Sequence, residues 1–339
     1  MPQYFGKLPT AEQEWKTLGD VQSAQWDERS LFCDCGEAAL LLTVLAPNLI
    51  RVQLAPTGAF AARRSWAVTK PDEEWAEVAV QMQEDDGAIV LKTEVMRVQV
   101  QRSPCRIACF DHEGNPFAQD AERGISWTDC SISAWKQIEA EEHFYGFGER
   151  TGLLDKRSER MTNWTVDSVD YTSLTDEMYQ AIPFFLALRP GLSYGIFLHS
   201  TYWSQFDIGV EQPGVWQMQT RAKELDYYII YGPEPAQILS TYTELTGRMP
   251  LPPKWALGYH QCRWSYESEE VVEQIAQEFR NRRIPCDVIH LDIDYMQGYR
   301  VFTWHQKRFP DPKALAQHLN QNGFQLVTIV DPGVKFEPE

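Results

Sequence analysis

The chain has 339 residues, with 31 Lys or Arg against 48 Asp or Glu, so its formal net charge at pH 7 is −17. This acidity argues against a partner that is a phosphate backbone or an anionic membrane, because both need clustered basic residues. Hydrophobic residues make up 43% of the chain, which excludes disorder for most of it. Its length corresponds to about two domains.

Targeting signals and metal motifs do not stand out in the sequence. No apolar run approaches the ~20 residues of a bilayer span, and residues 1–15 contain no apolar segment of a secretory signal. The seven cysteines match no zinc or redox spacing, and the histidines show no paired ligand spacing. We therefore expect a cytoplasmic protein with reduced cysteines and no metal site.

Short strand patterns dominate residues 1–250. Residues 49–54 and 95–101 alternate between apolar and polar side chains, as half-buried strands do. Many short strands separated by polar turns predict an antiparallel β-sandwich. Further strands are predicted at 38–45, 106–110, 184–188, 194–198, 215–218 and 225–231.

The pattern changes after residue 234. Pro235 opens a predicted helix that ends near Gly247. The proline-rich segment 249–253 that follows reads as a stiff connector. It divides the chain into predicted domains at 1–250 and 251–339.

The second predicted domain alternates strands and helices. Strands are predicted at 255–259, 287–293 and 324–330, with one helix from a Ser268 cap to about Arg283 and another from Asp311 to about Asn322. This alternation is typical of parallel strands with crossover helices. A complete eightfold barrel needs roughly 250 residues, so the pattern fits either a small open α/β domain or a barrel cut off early.

Polar and aromatic residues follow the predicted parallel strands, where active sites of such folds lie. Asp292 or Asp294 could accept hydrogen bonds from sugar hydroxyls, or these aspartates could simply form a turn or cap a helix. Trp264 and Tyr266 could stack on a sugar face, or they could pack within their loop. The segment 146–148 contains Gly-x-Gly but lacks the third glycine and the strand-to-helix context of a dinucleotide site.

Several segments together resemble glycoside hydrolase family 31, the α-glucosidase family. Residues 252–266, 285–312 and 330–334 resemble the first three strand regions of its catalytic barrel. Residues 145–150 and 179–184 resemble the sandwich that precedes the barrel. The likeness covers nearly the whole chain in the family's order.

This resemblance implies a galactose-mutarotase-like sandwich followed by the first three βα units of a (β/α)8 barrel. It implies a retaining α-glucosidase that needs no cofactor and acts on the terminal α-linked glucose of oligosaccharides. Nucleic acids and membranes are not expected partners, and the oligomeric state is open. The family's nucleophile lies in a Trp-x-Asp-Met-Asn-Glu-like segment after the fourth strand, which this sequence does not contain. We therefore name no catalytic residue and expect the 339 residues alone to be inactive.

The resemblance does assign substrate-binding positions in the second domain. Asp292 matches the family carboxylate that bonds glucose hydroxyls, and Ile293 lies beside it. Trp264 matches an aromatic pocket position after the first strand, and Val334 an apolar one after the third.

A sandwich loop of the family also supplies an aspartate to the pocket. Asp167 is the best match, with Asp170 and Asp176 as competitors. His305 stands where the family usually has Asp, which puts the local turn in question.

Two other functions remain open at this point. The chain could be a non-catalytic carbohydrate-binding module in which the sandwich does the binding. It could also have another specificity of the same family, such as an α-xylosidase or an α-glucan lyase. If the barrel is cut off after its third strand, that strand would be an uncovered edge, so we expect the isolated chain to aggregate or to need the missing half.

Overall fold

The computed structural model describes residues 14–61, 65–331 and 333–338. These residues fall into two compact units that divide between Arg248 and Met249. Within the described ranges, no helix is long and apolar enough to cross a bilayer.

The first unit is built almost entirely of strands. They are β1 Lys16–Thr17, β2 Ser23–Asp27, β3 Ser30–Cys35, β4 Ala38–Ala46, β5 Leu49–Ala55, β6 Gln81–Glu84, β7 Ala88–Lys92, β8 Met96–Arg102, β9 Cys105–Asp111, β10 Pro116–Phe117, β11 Asp120–Trp127, β12 Ile132–Gln137, β13 His143–Gly148, β14 Arg160–Asn163, β15 Ala181–Arg189, β16 Leu192–Leu198, β17 Ser204–Ile208, β18 Val215–Thr220 and β19 Leu225–Gly232. One helix, α1 Pro235–Thr246, follows them.

The strands of the first unit form three sheets, and their pairings are antiparallel. One sheet has the order β13-β15-β16-β19-β5-β4-β3-β2, a second β1-β11-β12-β18-β17-β14, and a third β10-β9-β8-β7-β6. All three contribute side chains to one apolar core. The predicted antiparallel sandwich is confirmed.

The strand β19 shows why some strands are apolar on both faces. Tyr227 and Ile229 point into the sandwich core. Tyr228 and Ile230 point the other way and pack with Ile238 of α1. All eight residues of β19 are therefore buried, and no polar–apolar alternation survives in its sequence.

The Gly-x-Gly motif at 146–148 has a packing role in β13. A Cβ on Gly146 would lie 2.9 Å from the carbonyl oxygen of Phe184, and one on Gly148 would lie 2.6 Å from the amide nitrogen of Ile182. Both glycines also have positive φ angles. Glycine is needed there because β13 lies so close to β15.

The second unit has the predicted alternation of strands and helices. Its elements are β20 His260–Gln261, α2 Glu269–Asn281, β21 Val288–Leu291, α3 Pro312–Gln321 and β22 Gln325–Thr328. The sheet order is β20-β21-β22, and both pairings are parallel. Within the described part of the chain, these three strands do not close into a barrel.

The strand predicted at 255–259 is wrong. Lys254–Leu257 instead forms a 3-10 turn that starts directly after Pro253, and β20 begins only at His260. The apolar residues that suggested a strand are not core residues, since Trp255, Leu257 and Tyr259 are all exposed. Proline before the segment favours the turn, since its fixed φ suits the start of helical geometry.

The helix ends of the second unit follow the predictions with small differences. Asp311 caps α3, because its side chain accepts a hydrogen bond from the Ala314 amide at 2.9 Å. Ser268 occupies the cap position of α2 in an extended conformation, but its side chain forms no capping hydrogen bond, so that part of the prediction is wrong. The helix α2 ends at Asn281 rather than at Arg283.

Candidate functional site

The candidate site lies at the carboxyl ends of β20 and β21. Along β21, Ile289 and Leu291 enter the core that α2 and α3 cover. His290 lies on the opposite face because side chains alternate along a strand. The His260 side chain of β20 also lies there, with Nδ1 3.1 Å from His290 Nε2. Sequence reasoning missed this histidine pair.

Asp292 follows β21 directly and remains extended, with φ −75° and ψ 178°. Its Oδ1 accepts a hydrogen bond from the Ile293 amide at 2.8 Å and so caps the short 3-10 turn Ile293–Tyr295. Burial and the negative charge of Asp292 raise the pKa of the Cys262 thiol. The capping role weighed in the sequence analysis is thus present, while the carboxylate stays partly exposed.

The residues that follow Asp292 have other partners. Asp294 accepts a hydrogen bond from the Tyr299 hydroxyl at 3.0 Å. Tyr295 is buried, and its hydroxyl donates to the Ile329 carbonyl at 2.9 Å. Ile293 is half-buried against the second unit's core. Asp294 is therefore engaged by a side chain, whereas the hydrogen bond that Asp292 accepts comes from a backbone amide.

The two aromatic candidates after β20 differ in their surroundings. Tyr266 is buried, and its hydroxyl accepts a hydrogen bond from Gln261 Nε2 at 3.0 Å. Trp264, in contrast, is 79% exposed. Val334, after β22, is 93% exposed. Tyr266 is thus a packing residue, whereas Trp264 is accessible at the rim formed by the carboxyl ends of β20 and β21.

His305 preserves the local turn although it replaces the family's usual aspartate. Its Nδ1 accepts a hydrogen bond from the Arg308 amide at 3.3 Å. Its carbonyl accepts one from the Phe309 amide at 2.8 Å. An imidazole nitrogen therefore takes the acceptor position that a carboxylate would otherwise fill.

The three candidate aspartates in the sandwich loop of the first unit differ in their exposure and hydrogen bonds. Asp176 is occupied by structural bonds, because its carboxylate accepts from the Thr162 amide at 2.8 Å and from Arg150 at 3.1 Å. Asp170 and Asp167 are exposed. Burial raises the pKa of Tyr179, and so do the charge of Asp167 and a hydrogen bond to that carboxylate. Asp176 is therefore held by a backbone amide and an arginine, whereas Asp167 is exposed and bonds to a phenol.

Within the described ranges, no group of three or more His, Cys, Asp or Glu side chains is arranged to hold a metal ion. All seven cysteines lie within the described ranges, and none of them forms a disulfide bond.

Two family models match the chain, one over each unit. Residues 39–207 match the glycosyl hydrolase 31 N-terminal galactose mutarotase-like domain. Residues 249–339 match the TIM-barrel domain of glycosyl hydrolases family 31. Together with the sandwich and the parallel βαβαβ unit, these matches show that the chain belongs to glycoside hydrolase family 31.

Several characterised relatives are α-glucosidases. The chain is 39% identical to alpha-glucosidase 2 of Bacillus thermoamyloliquefaciens over 332 residues, which is 97% of this chain and 42% of that protein. It is 35% identical to an alpha-glucosidase of Saccharolobus solfataricus over 202 residues, which is 60% of this chain and 29% of that one. The chain thus spans less than half the length of these relatives.

A solved structure supports the same fold. A family 31 dextranase of Flavobacterium johnsoniae, complexed with isomaltotriose, superposes with a TM-score of 0.85 at 30% identity. The match covers 92% of this chain and 38% of the dextranase chain. The predicted combination of a galactose-mutarotase-like sandwich and the first part of a family 31 barrel is confirmed.

Proposed function

We propose that this chain is the substrate-binding part of a retaining α-glucosidase that acts on the terminal non-reducing α-linked glucose of oligosaccharides. The observation that carries the proposal is the place of Asp292, a partly exposed carboxylate at the carboxyl end of a parallel strand in a family 31 barrel segment. The names of the two α-glucosidase relatives support this substrate class.

Asp292 would hold the glucose ring by accepting hydrogen bonds from its hydroxyls. A charged acceptor forms shorter and stronger hydrogen bonds than a neutral one, so a carboxylate fixes the orientation of the ring. Trp264 would stack on the sugar face, while Ile293 and Val334 would supply apolar walls that limit water. Asp167 would contribute a second carboxylate from the sandwich loop.

The catalytic pair is a separate requirement. Retaining glycosidases use two carboxyl groups about 5–5.5 Å apart, one as nucleophile and one as acid/base. The family segment that carries the nucleophile does not occur in these 339 residues. We therefore give neither Asp292 nor Asp294 the role of nucleophile, and we expect no turnover by the 339-residue chain alone.

A binding experiment and an activity assay test the two parts separately. Asp292→Asn should weaken binding of isomaltotriose and maltotriose about tenfold or more, as judged by calorimetry, because a charged hydrogen-bond acceptor is lost. Asp294→Asn is the matched control and should bind like the parent chain, since Asp294 already bonds to Tyr299. Equal affinities for both variants would contradict the role of Asp292. Release of glucose from a chromogenic α-glucoside by the 339-residue chain would contradict the absence of the catalytic pair.

We also place the protein in the cytoplasm, in keeping with its seven described cysteines, none of which forms a disulfide bond.

A further inference from the structure

A cavity of about 350 Å³ lies entirely within the first unit. It opens where β14 and β16 end and β15 begins. Its volume is in the range of small-molecule pockets. The side chains that define its character are Trp164, Thr165, Phe197, His199, Ser200 and Tyr202.

A buried ion-pair network holds His199 in this cavity. Its Nδ1 lies 3.2 Å from Asp226 Oδ2. Asp226 is almost fully buried and also receives two hydrogen bonds from Arg51, at 3.0 and 2.6 Å. Because the bond to Asp226 engages Nδ1, the opposite nitrogen, Nε2, is the one left for a ligand.

The negative charge of Asp226 is also stabilised. Burial alone would raise the pKa of Asp226, but the bonds from His199 and Arg51 outweigh it and hold the pKa below its ordinary value. Asp226 therefore stays a carboxylate, and it keeps the imidazole oriented in the same way that carboxylates orient histidines in binding sites.

The cavity wall that carries the hydroxyl groups is fixed too. Ser200 Oγ lies 3.0 Å from Thr220 Oγ1 and accepts a hydrogen bond from the Tyr202 amide at 3.2 Å. These bonds tie the loop after β16 to the neighbouring strand β18. A ligand would therefore meet a preorganised surface, which lowers the entropy cost of binding.

The composition of the cavity selects among ligand classes. Among the described residues, its lining contains aromatic rings, hydroxyl groups, an amide and one imidazole, but no Lys, Arg, Asp or Glu. An anion such as a phosphate ester would find no fixed cation there, and a purely apolar ligand would leave the polar groups without partners. A neutral pyranose satisfies both, because it offers hydroxyls at its edge and C–H groups on its face.

We propose that this cavity is a carbohydrate-binding site for a pyranose unit of an α-gluco-oligosaccharide. Tyr202 and Trp164 supply the stacking surfaces, and His199 Nε2 is the directional hydrogen-bonding group. The site uses none of the residues proposed to bind glucose in the second unit. It therefore stands or falls independently of the proposed hydrolytic function.

The test uses the 339-residue chain in the Asp292→Asn background, so that binding at the barrel rim is already weakened. Maltotriose binding is measured by calorimetry and by saturation-transfer NMR. Tyr202→Ala should weaken the remaining binding about fivefold, and His199→Gln about tenfold, because stacking and an oriented hydrogen bond are lost.

Tyr259→Ala is the matched control. Tyr259 belongs to the second unit and is 52% exposed, against 59% for Tyr202, and it does not line the cavity. This variant should bind maltotriose like its Asp292→Asn parent. Tyr202 is so exposed that its truncation leaves the core unchanged, so this variant remains informative even if His199→Gln fails to fold. The proposal is overturned if the Asp292→Asn chain binds no maltotriose at millimolar concentration. It is equally overturned if Tyr202→Ala binds as tightly as its parent.

Discussion

All eight residues of β19 in the first unit are buried, whereas all four residues of β22 in the second unit are only half-buried. β19 has a paired strand on each side and packing on both faces. β22 ends the order of its sheet. The comparison shows that the two units cover their strands to very different degrees.

Exposed apolar side chains occur in both units, and Leu174 of the first unit is 92% exposed. Leu251, Phe302, Val334 and Phe336 of the second unit are each at least 85% exposed. An unpaired parallel edge and accessible apolar groups are the usual signs of a surface that another element covers. In stability terms, the first unit is expected to depend on its interior, and the second on what covers its surface.

The largest expected effect tests the interior of the first unit. Lys136 is fully buried, and its Nζ lies 2.7 Å from Asp120 Oδ1. Lys136→Met would leave the buried Asp120 charge uncompensated and should lower the free energy of unfolding of the first unit by about 3–5 kcal/mol. Urea unfolding monitored by tryptophan fluorescence measures this loss.

Removing a cation from an exposed ion pair of the second unit should lower the free energy of unfolding far less. Arg300 and Glu337 form an ion pair in which both side chains are nearly half exposed. Arg300→Met should therefore change stability by no more than about 1 kcal/mol. Similar losses for Lys136→Met and Arg300→Met would contradict the expected difference between the two units.

A smaller effect concerns a buried carboxyl of the first unit. Burial raises the pKa of Glu142 to about 7, although a backbone bond from Glu139 partly offsets it. As the pH rises, Glu142 therefore loses its proton at a lower pH in the unfolded chain than in the folded chain. Stability should therefore fall as the pH rises from about 4.5 to about 7, and the penalty should be complete above that range.

Glu142→Gln removes this penalty. It should raise the free energy of unfolding at pH 8 by up to about 3 kcal/mol, and by much less at pH 5. The exposed neighbour Glu141 provides the control, since Glu141→Gln should leave the pH dependence unchanged. Thermal unfolding at the two pH values measures the difference. A gain of equal size at both would show that Glu142 does not titrate in this range.

The sequence predicted strands best where one face is buried. β5 and β8 alternate visibly, because one face meets the core and the other does not. β14 was missed because it is short and polar, and it pairs with β17, which is about forty residues away. Local pattern does not contain such a long-range pairing.

A third prediction concerns the surface of the second unit. Phe302 is 85% exposed, so Phe302→Ser should slow aggregation of the chain severalfold without lowering its stability. Leu154 of the first unit is 81% exposed and is the control. Light scattering during incubation at 37 °C compares the two variants with the parent chain. If Leu154→Ser slows aggregation as much as Phe302→Ser does, the second unit is not its source.

Part of the candidate site could also be predicted. The rule that residues after parallel strands share one edge pointed to Asp292 and Asp294 together, and the family resemblance then selected Asp292, whose role stays a prediction. The pairs His260–His290 and His199–Asp226 were not found, since each joins residues about thirty positions apart across a sheet. A signal for the first existed, because each histidine lies two residues before a rim residue, Cys262 or Asp292, on a neighbouring strand.

The smallest expected effect uses this histidine pair and has the opposite sign to that of Glu142. Burial and the nearby His260 lower the pKa of His290. Its stabilising contribution is present above the unfolded pKa of about 6.5 and is lost as the pH falls below it. His290→Gln should therefore reduce the loss of the second unit's stability as the pH falls below about 6.5. His318→Gln is the control, because His318 is exposed and bonds to Glu273 instead.

Hydrogen exchange of the backbone amides in β21 measures the stability of the second unit separately from that of the first. If His290→Gln and His318→Gln change that profile equally, the histidine pair does not produce the acid sensitivity.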